Sequence, residues 1–242
     1  MDRTALVVGA SGETGQAVAV ALAKEGYRLI CVSRGGERQA ATIAAVGNGR
    51  HEYHAVDLMN HPALIGFLSN MEFADRHPDI IVHVIGGSLG KRDAMLTWPD
   101  YEDVLRFNLG IPHTINRVCL PKMIARGWGR IVHFSSNGVK LATGTTPYVA
   151  SKGAVESYVR HFSKELSPKG VVMSCVSPGP IYTHGRGMYN LEGDALATFY
   201  KHYVPMGRWG RAEELAAVVA FLCSDAASYM AGAIVDVDGG MR

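Results

Sequence analysis

The sequence predicts an α/β protein, a doubly wound parallel sheet of about seven strands with helices on both faces. Three observations carry the prediction. Short β-like runs alternate with helix-length amphipathic segments along the whole chain. The runs are near-continuous in Val, Ile and Leu, as in strands covered on both faces. Glycines crowd the turn between the first run and the first amphipathic segment, where such sheets place a tight strand-to-helix turn.

In order, "ALVVG" precedes a helical stretch from about Thr14 to Glu25, and "YRLICVS" follows. A weaker strand, "HEYHAVD", comes next, then "DIIVHVIG", which reads as buried all round. "RIVHFSS" and "GVVMSCVSPG" supply two more strands, and "AIVDVDGG" closes the sheet. With no Pro/Ser-rich linker, repeat or low-complexity tract, residues 1–242 are expected to form a single domain. One region breaks the rhythm. Between Pro178 and a helix near Arg211 lie some thirty residues, many aromatic or basic. That stretch reads as a long irregular segment holding a substrate loop at about 183–207.

Bulk properties exclude several classes. A composition 48% hydrophobic and 19% charged fits a soluble globular chain with a real core. A net charge of +2 and the absence of a basic run give no argument for nucleic acid. Cys31, Cys119, Cys175 and Cys223 are scattered, without metal or disulfide spacing, and no metal site is expected. No apolar run approaches membrane-spanning length, so the expected localisation is cytoplasmic, away from membranes.

Gly9, Gly12 and Gly15 in "VVGASGETGQ" permit a tight turn and let backbone N–H groups approach a phosphate at a helix N-terminus. At the end of the second strand, dinucleotide-binding proteins specific for NAD usually carry an acidic residue. Here the position holds Ser33, followed by Arg34, with Arg38 close behind. A hydroxyl and a guanidinium favour a 2′-phosphate, and NADP(H) is therefore expected over NAD(H). In "TTPYVASKGAVESYVRHF", Tyr148 and Lys152 stand four apart at the head of an apolar stripe continuing as Val155, Val159, Phe162 and Leu166. A lysine there is out of place unless it does chemistry. Thr146 and Pro147 suit the N-cap and first position of that helix.

These motifs, in this order, resemble the short-chain dehydrogenase/reductases, in the single-domain branch that includes the 3-oxoacyl-carrier-protein reductases. The match also takes in Asp57 in "AVDL", Asn108 in "VLRFNLG", "SPGPIYT" and the ending "PMGRWGRAEELAAVVAFLCSDAASYMAGAIVDVDGG". The resemblance implies a Rossmann-type sheet and an oxidoreductase that moves a hydride between a nicotinamide and a carbonyl or secondary alcohol. It implies catalytic roles for Asn108, Ser136, Tyr148 and Lys152. It places the cofactor against Gly9, Ser11, Gly12, Glu13, Thr14 and Gly15, then Ser33, Arg34, Asp57, Leu58 and Gly86. Tyr148, Lys152, Pro178, Gly179, Ile181 and Thr183 complete that list. A homodimer or homotetramer is implied as well.

Three positions depart from the family pattern. "GASGETG" is spaced G-x-x-G-x-x-G, and Glu13 takes the place of the usual middle glycine, near where pyrophosphate would lie. Glu13 must point away, or cofactor affinity suffers. The usual "NNAG" is replaced by His83, Val84, Ile85 and Gly86, and His83 is expected to substitute for the structural asparagine by hydrogen bonding. "FSS" offers both Ser135 and Ser136. Ser136 keeps the motif alignment but stands one residue too close to Tyr148, Ser135 the reverse; Ser136 is preferred, with Ser135 open.

A ketone reduced by hydride needs a proton at the same moment. A tyrosine whose pKa is drawn down by a neighbouring lysine can deliver it. Asn108 would link Lys152 to solvent through water. His54, His83 and His133, inside strands, read as core residues. The loops expected to build the substrate pocket carry aromatic residues and the cations Lys91, Arg92, Lys140 and Arg186. They suit an anionic ligand or else are solvated faces. The competing function is a non-catalytic NADP(H)-binding sensor, or an interaction protein on the same fold.

Overall fold

The computed structural model describes residues 3–47, 51–73, 76–183 and 191–241. The chain runs β1 (Thr4–Val8), α1 (Glu13–Lys24), β2 (Arg28–Ser33), α2 (Glu37–Val46), β3 (Glu52–Ala55), α3 (His61–Phe73) and β4 (Ile80–His83). It continues through α4 (Trp98–Leu105), a π-helical turn (Arg106–Gly110), α5 (Ile111–Arg126), β5 (Gly129–Phe134), α6 (Gly138–Leu141) and α7 (Thr146–Leu166). β6 (Val171–Pro178), α8 (Gly193–Tyr203), α9 (Ala212–Cys223) and β7 (Ile234–Val237) complete it.

The seven strands form one parallel sheet, as the sequence predicts, and their order in it is β3-β2-β1-β4-β5-β6-β7. The apolar runs are explained by a core on each face. In β1, Leu6 and Val8 face one core and Ala5 and Val7 the other. Ile30/Cys31 in β2, Ile81/Val82 in β4 and Ile131/Val132 in β5 divide in the same way. Every second residue turns to the opposite face, so a doubly covered strand is apolar at most of its positions. The first core packs on α3, α5 and α7, the second on α1 and α9. Strand order reverses between β1 and β4, and a crevice there, beyond the carboxyl ends, is where such sheets bind ligands.

Two local expectations are corrected. The stretch after Pro178 is not simply irregular, because it contains the eleven-residue helix α8. Its apolar side chains cluster: Phe199 packs 5.3 Å from Trp209 and 5.5 Å from Tyr203, ring centre to ring centre. Helix α7 has Thr145 at its N-cap and begins at Thr146, with Pro147 in its first two positions, one residue earlier than predicted. Proline still fits, since the first-turn N–H groups have no intrahelical acceptor.

Candidate active site

The predicted residues lie beyond the carboxyl ends of β1 through β6. Gly9 turns the chain out of β1 at φ +93°, and a Cβ there would stand 2.8 Å from Ile85 Cγ2. A Cβ on Gly15 would fall 2.1 Å from the Gly9 carbonyl oxygen, so glycine lets α1 close onto the turn. Gly12 differs. Its φ is ordinary, and a Cβ there would meet only open space apart from the Gly9 oxygen at 4.0 Å. Gly12 is also the N-cap of α1, and no side chain caps it. The cap residue therefore offers the first-turn N–H groups no side-chain acceptor, an arrangement that suits phosphate. Ser11 and Thr14 flank this turn, half-buried.

Glu13, the departure from the family pattern, lines a groove of about 690 Å³ with Gln16 and Ala17 of α1 and Arg211 and Ala212 of α9. Residue 13 thus belongs to the face of α1 that borders the start of α9.

At the end of β2, Ser33 is buried and its carbonyl accepts from Val56 N at 2.7 Å, while Arg34 is exposed at the rim. Asp57 is exposed, with Oδ1 accepting from Met59 N, and Leu58 beside it is buried. After β6, Gly179 donates to the Val237 carbonyl, and a Cβ there would lie 2.6 Å from Asp238 Cα. Pro178 is half-buried; Ile181 bridges to Gly210, with Thr183 half-buried beyond it. Four pocket residues expected from the sequence, His184, Arg186, Met188 and Tyr189, lie outside the described residues.

The reacting groups gather where α7 crosses the end of β5. The Ser136 hydroxyl lies near enough to the Tyr148 phenol to draw its pKa down, and it accepts from Gly138 N at 3.2 Å. The neighbouring Ser135 faces elsewhere. Its hydroxyl is buried and donates to Glu156 Oε1 at 2.7 Å. The tandem serines that the sequence leaves ambiguous are separated by geometry, and Ser136 is the one at the tyrosine.

Lys152 is 2% exposed, and Nζ donates to the Phe134 carbonyl at 2.7 Å. Burial pushes its pKa down to about 8. Tyr148 is pushed up by burial, against which the Ser136 hydroxyl works. Lys152 Nζ lies 5.8 Å from the tyrosine ring centre. Two charges about 6 Å apart interact by roughly 3 kcal/mol at an effective dielectric of ~20. Whenever the lysine is protonated, that attraction opposes the effect of burial on the tyrosine.

Asn108 sits in the π-helical turn with both amide hydrogens engaged. Nδ2 donates to Gly87 O and Val104 O, and Oδ1 accepts from Gly87 N at 3.1 Å. Such wide turns recur at functional sites. A Cβ on Gly86 would lie 2.5 Å from Lys152 Nζ and 2.9 Å from Asn108 Oδ1. Gly86, Asn108 and Lys152 therefore converge on one point. The expected water link from Asn108 to Lys152 would have to use the remaining lone pair of Oδ1.

His83 lies below this point, fully buried, with Nε2 2.8 Å from Asn116 Oδ1; Asn116 Nδ2 stands 3.2 Å from His133 Nε2. Since an amide oxygen only accepts, His83 carries its proton on Nε2. Burial lowers the His83 pKa to about 4 and that of His133 well below its ordinary value, so both are neutral. His83 thus makes a buried hydrogen bond inside the sheet's flank, the kind of contact expected of it. Of the cations expected at the pocket, Lys91 pairs with Asp100 and Asp103, and Lys140 with Asp236. Both cations are thus already matched by carboxylates of this chain.

The cradles at Gly9, Gly15 and Gly86 and the uncapped start of α1 fit a dinucleotide. Among the described residues, no helix is long and apolar enough to cross a membrane.

Comparison with known proteins agrees with this geometry. The family profile described as enoyl-(acyl carrier protein) reductase matches residues 9–242. The chain is 32% identical over 243 residues to the 3-oxoacyl-(acyl-carrier-protein) reductase FabG of Aquifex aeolicus, covering 99% of this chain and 97% of the relative. It is 30% identical to the short-chain reductase protein NovJ of Streptomyces niveus, covering 99% and 94%. A solved 3-oxoacyl (acyl-carrier-protein) reductase from Agrobacterium tumefaciens, with NADP bound, superimposes at a TM-score of 0.85. It is 29% identical, covering 98% of this chain and 93% of that one.

Proposed function

The chain belongs to the short-chain dehydrogenase/reductase family, oxidoreductases that interconvert alcohols and carbonyls, and on that premise we propose that it is an NADP(H)-dependent ketone reductase working through Ser136, Tyr148 and Lys152. The observation that carries the reading is the Ser136 hydroxyl beside the Tyr148 phenol, one helical turn from a buried lysine.

The cofactor would lie against the glycine turn and Gly86, with Arg34 at the rim for a 2′-phosphate. When bound, it supplies the hydride. The chain supplies the rest. The Ser136 hydroxyl holds and polarises the carbonyl oxygen. Tyr148 gives that oxygen its proton as negative charge develops on it. Lys152, while protonated, keeps the resulting phenolate accessible. A donor so placed contributes about 10²–10⁴ in rate. Asn108 fixes the Gly86–Gly87 backbone beside the lysine. Assembly as a homodimer or homotetramer belongs to the same reading and is checked by light scattering.

The substrate class is proposed from the relatives: a 3-oxoacyl thioester or a similar small ketone. Two measurements test the whole. Fluorescence titration should give micromolar NADPH binding, with NADH at least about tenfold weaker. A screen of acetoacetyl-coenzyme A and simple ketones should show NADPH-dependent turnover that Tyr148→Phe abolishes while leaving NADPH binding intact. Turnover surviving in Tyr148→Phe, or the absence of NADPH binding, would overturn the reading.

A further inference from the structure

We propose that Glu156 is a positioning residue for the reaction: by holding the Ser135 hydroxyl it fixes the end of β5 and leaves Ser136 as the serine that serves Tyr148. The inference rests on the catalytic reading above and concerns a residue that no part of that mechanism uses.

The argument begins with the pleat. In β5 successive side chains alternate between faces, with Ile131 in the core beneath α7 and Val132 and Phe134 in the opposite one. By that alternation Ser135 returns to the α7 side. There it is 3% exposed, so its hydroxyl must find an acceptor within the protein. Glu156 provides it at 2.7 Å, from the turn of α7 that follows Lys152. Glu156 is itself buried, at 4% exposure, and its second oxygen accepts from Arg160 at 3.1 Å. A carboxylate is thus held in the interior with one oxygen on the serine and the other on a guanidinium that reaches solvent.

Three consecutive residues of the chain are thereby gripped by one helix. The Phe134 carbonyl takes Lys152 Nζ, the Ser135 hydroxyl goes to Glu156, and the Ser136 hydroxyl meets Tyr148. Only the middle contact involves no reacting group, and it sets the rotation of the strand end between the other two. Because reacting groups must align closely, a shift of about 1 Å can cost on the order of 10²-fold in rate.

Without its acceptor, buried Ser135 is left with the Lys152 carbonyl at 3.5 Å as the nearest alternative. Turning toward it would drag β5 along α7. The effect should fall on kcat, since the glycine turn and Arg34 are remote from this contact.

The experiment compares Glu156→Gln, Glu156→Ala, Ser135→Ala and the double Ala variant, using the best ketone from the screen above and NADPH. Glu156→Ala and Ser135→Ala should each lower kcat about tenfold, with KM and NADPH affinity within about twofold of wild type. The double variant should be no slower than Glu156→Ala, as for two residues that act through one contact. Glu156→Gln should restore kcat, because its amide oxygen still accepts from Ser135.

The proposal is overturned if Glu156→Ala keeps full kcat, or if its loss of kcat is matched by an equal loss of NADPH affinity, as general destabilisation would give. It is also overturned if Glu156→Gln is as slow as Glu156→Ala, which would assign the role to charge. Tyr148→Phe, run alongside, separates this proposal from its premise. An inactive Tyr148→Phe with a fully active Glu156→Ala removes only the Glu156 role, whereas an active Tyr148→Phe removes the mechanism itself.

Discussion

Two cations are buried at opposite ends of the same strand, and their surroundings differ. At the amino end of β5, Arg130 is 3% exposed and well supplied with partners. Its guanidinium meets Asp225 at 3.3 Å, donates to the Ser224 carbonyl, and lies 4.5 Å from the Trp128 ring centre. Arg3 covers the same tryptophan at 3.7 Å and also pairs with Asp225. At the carboxyl end, Lys152 is equally buried but donates only to a neutral carbonyl among the described residues. Burial lowers both pKa values; Asp225 opposes the shift at Arg130, whereas no carboxylate does so at Lys152. A buried charge surrounded by acceptors and an aromatic face is a fastening. A buried charge held by one carbonyl costs stability, and the natural reason to keep it is chemistry.

The comparison can be broken most sharply by exchanging each cation for methionine. Lys152→Met should lower turnover by on the order of 10²-fold or more while leaving the protein as stable as wild type or more so, read by steady-state kinetics and thermal unfolding. A large loss of stability would make the lysine structural.

The next largest effect concerns pH. Folding lowers the Lys152 pKa to about 8, below the ordinary lysine value of about 10.5 that the unfolded chain keeps. Between those values the unfolded chain binds a proton that the folded chain has released, so stability should rise with pH across that window. Below about pH 8 the charge is present in both states and the folded state bears its whole cost. Subtracting the denaturant curves of Lys152→Met from those of wild type should show a rise of at most about 3 kcal/mol. The same titration should appear as an alkaline limb near pH 8 in the rate of ketone reduction, because Tyr148 then loses the charge that assists it.

Arg130→Met should do the opposite of Lys152→Met. It should cost about 2 kcal/mol, from charged hydrogen bonds and the ring contact, with kcat and KM unchanged. The smallest effect is expected for Asp225→Asn. Its side chain is 65% exposed, so solvent screens its ion pairs, and the loss should stay below about 1 kcal/mol in chemical denaturation.

Some of this was legible in the sequence and some was not. The sheet could be read because both faces of each strand are covered, which forces unbroken apolar runs such as "ALVV" and "IIVH". Tyr148 and Lys152 could be singled out because an inward-facing lysine at helical spacing conflicts with the apolar stripe below it. Glu156 lies on that stripe two turns beyond Tyr148, and the same conflict could have exposed it; a glutamate so near the solvated face reads as ordinary. Helix α8 was missed because its aromatic residues resemble loop composition until Trp209, beyond the end of the helix, packs on Phe199. The surroundings of Glu13 were undecidable from spacing, since they depend on α9 lying alongside α1.

The sequence by itself determined the succession of strands along the chain, the glycine turn, and the tyrosine–lysine pair. These follow from local rules: the periods of helix and strand, the conformations open to glycine, and the charge of a side chain beside its neighbours in the chain. Only the tertiary structure decided which serine meets Tyr148, what Glu13 borders, and which buried cation lacks a counter-charge. Those depend on what another element brings from many residues away, such as Glu156 beneath Ser135 or Asp225 beside Arg130, and no local pattern encodes a partner that arrives only when the chain folds.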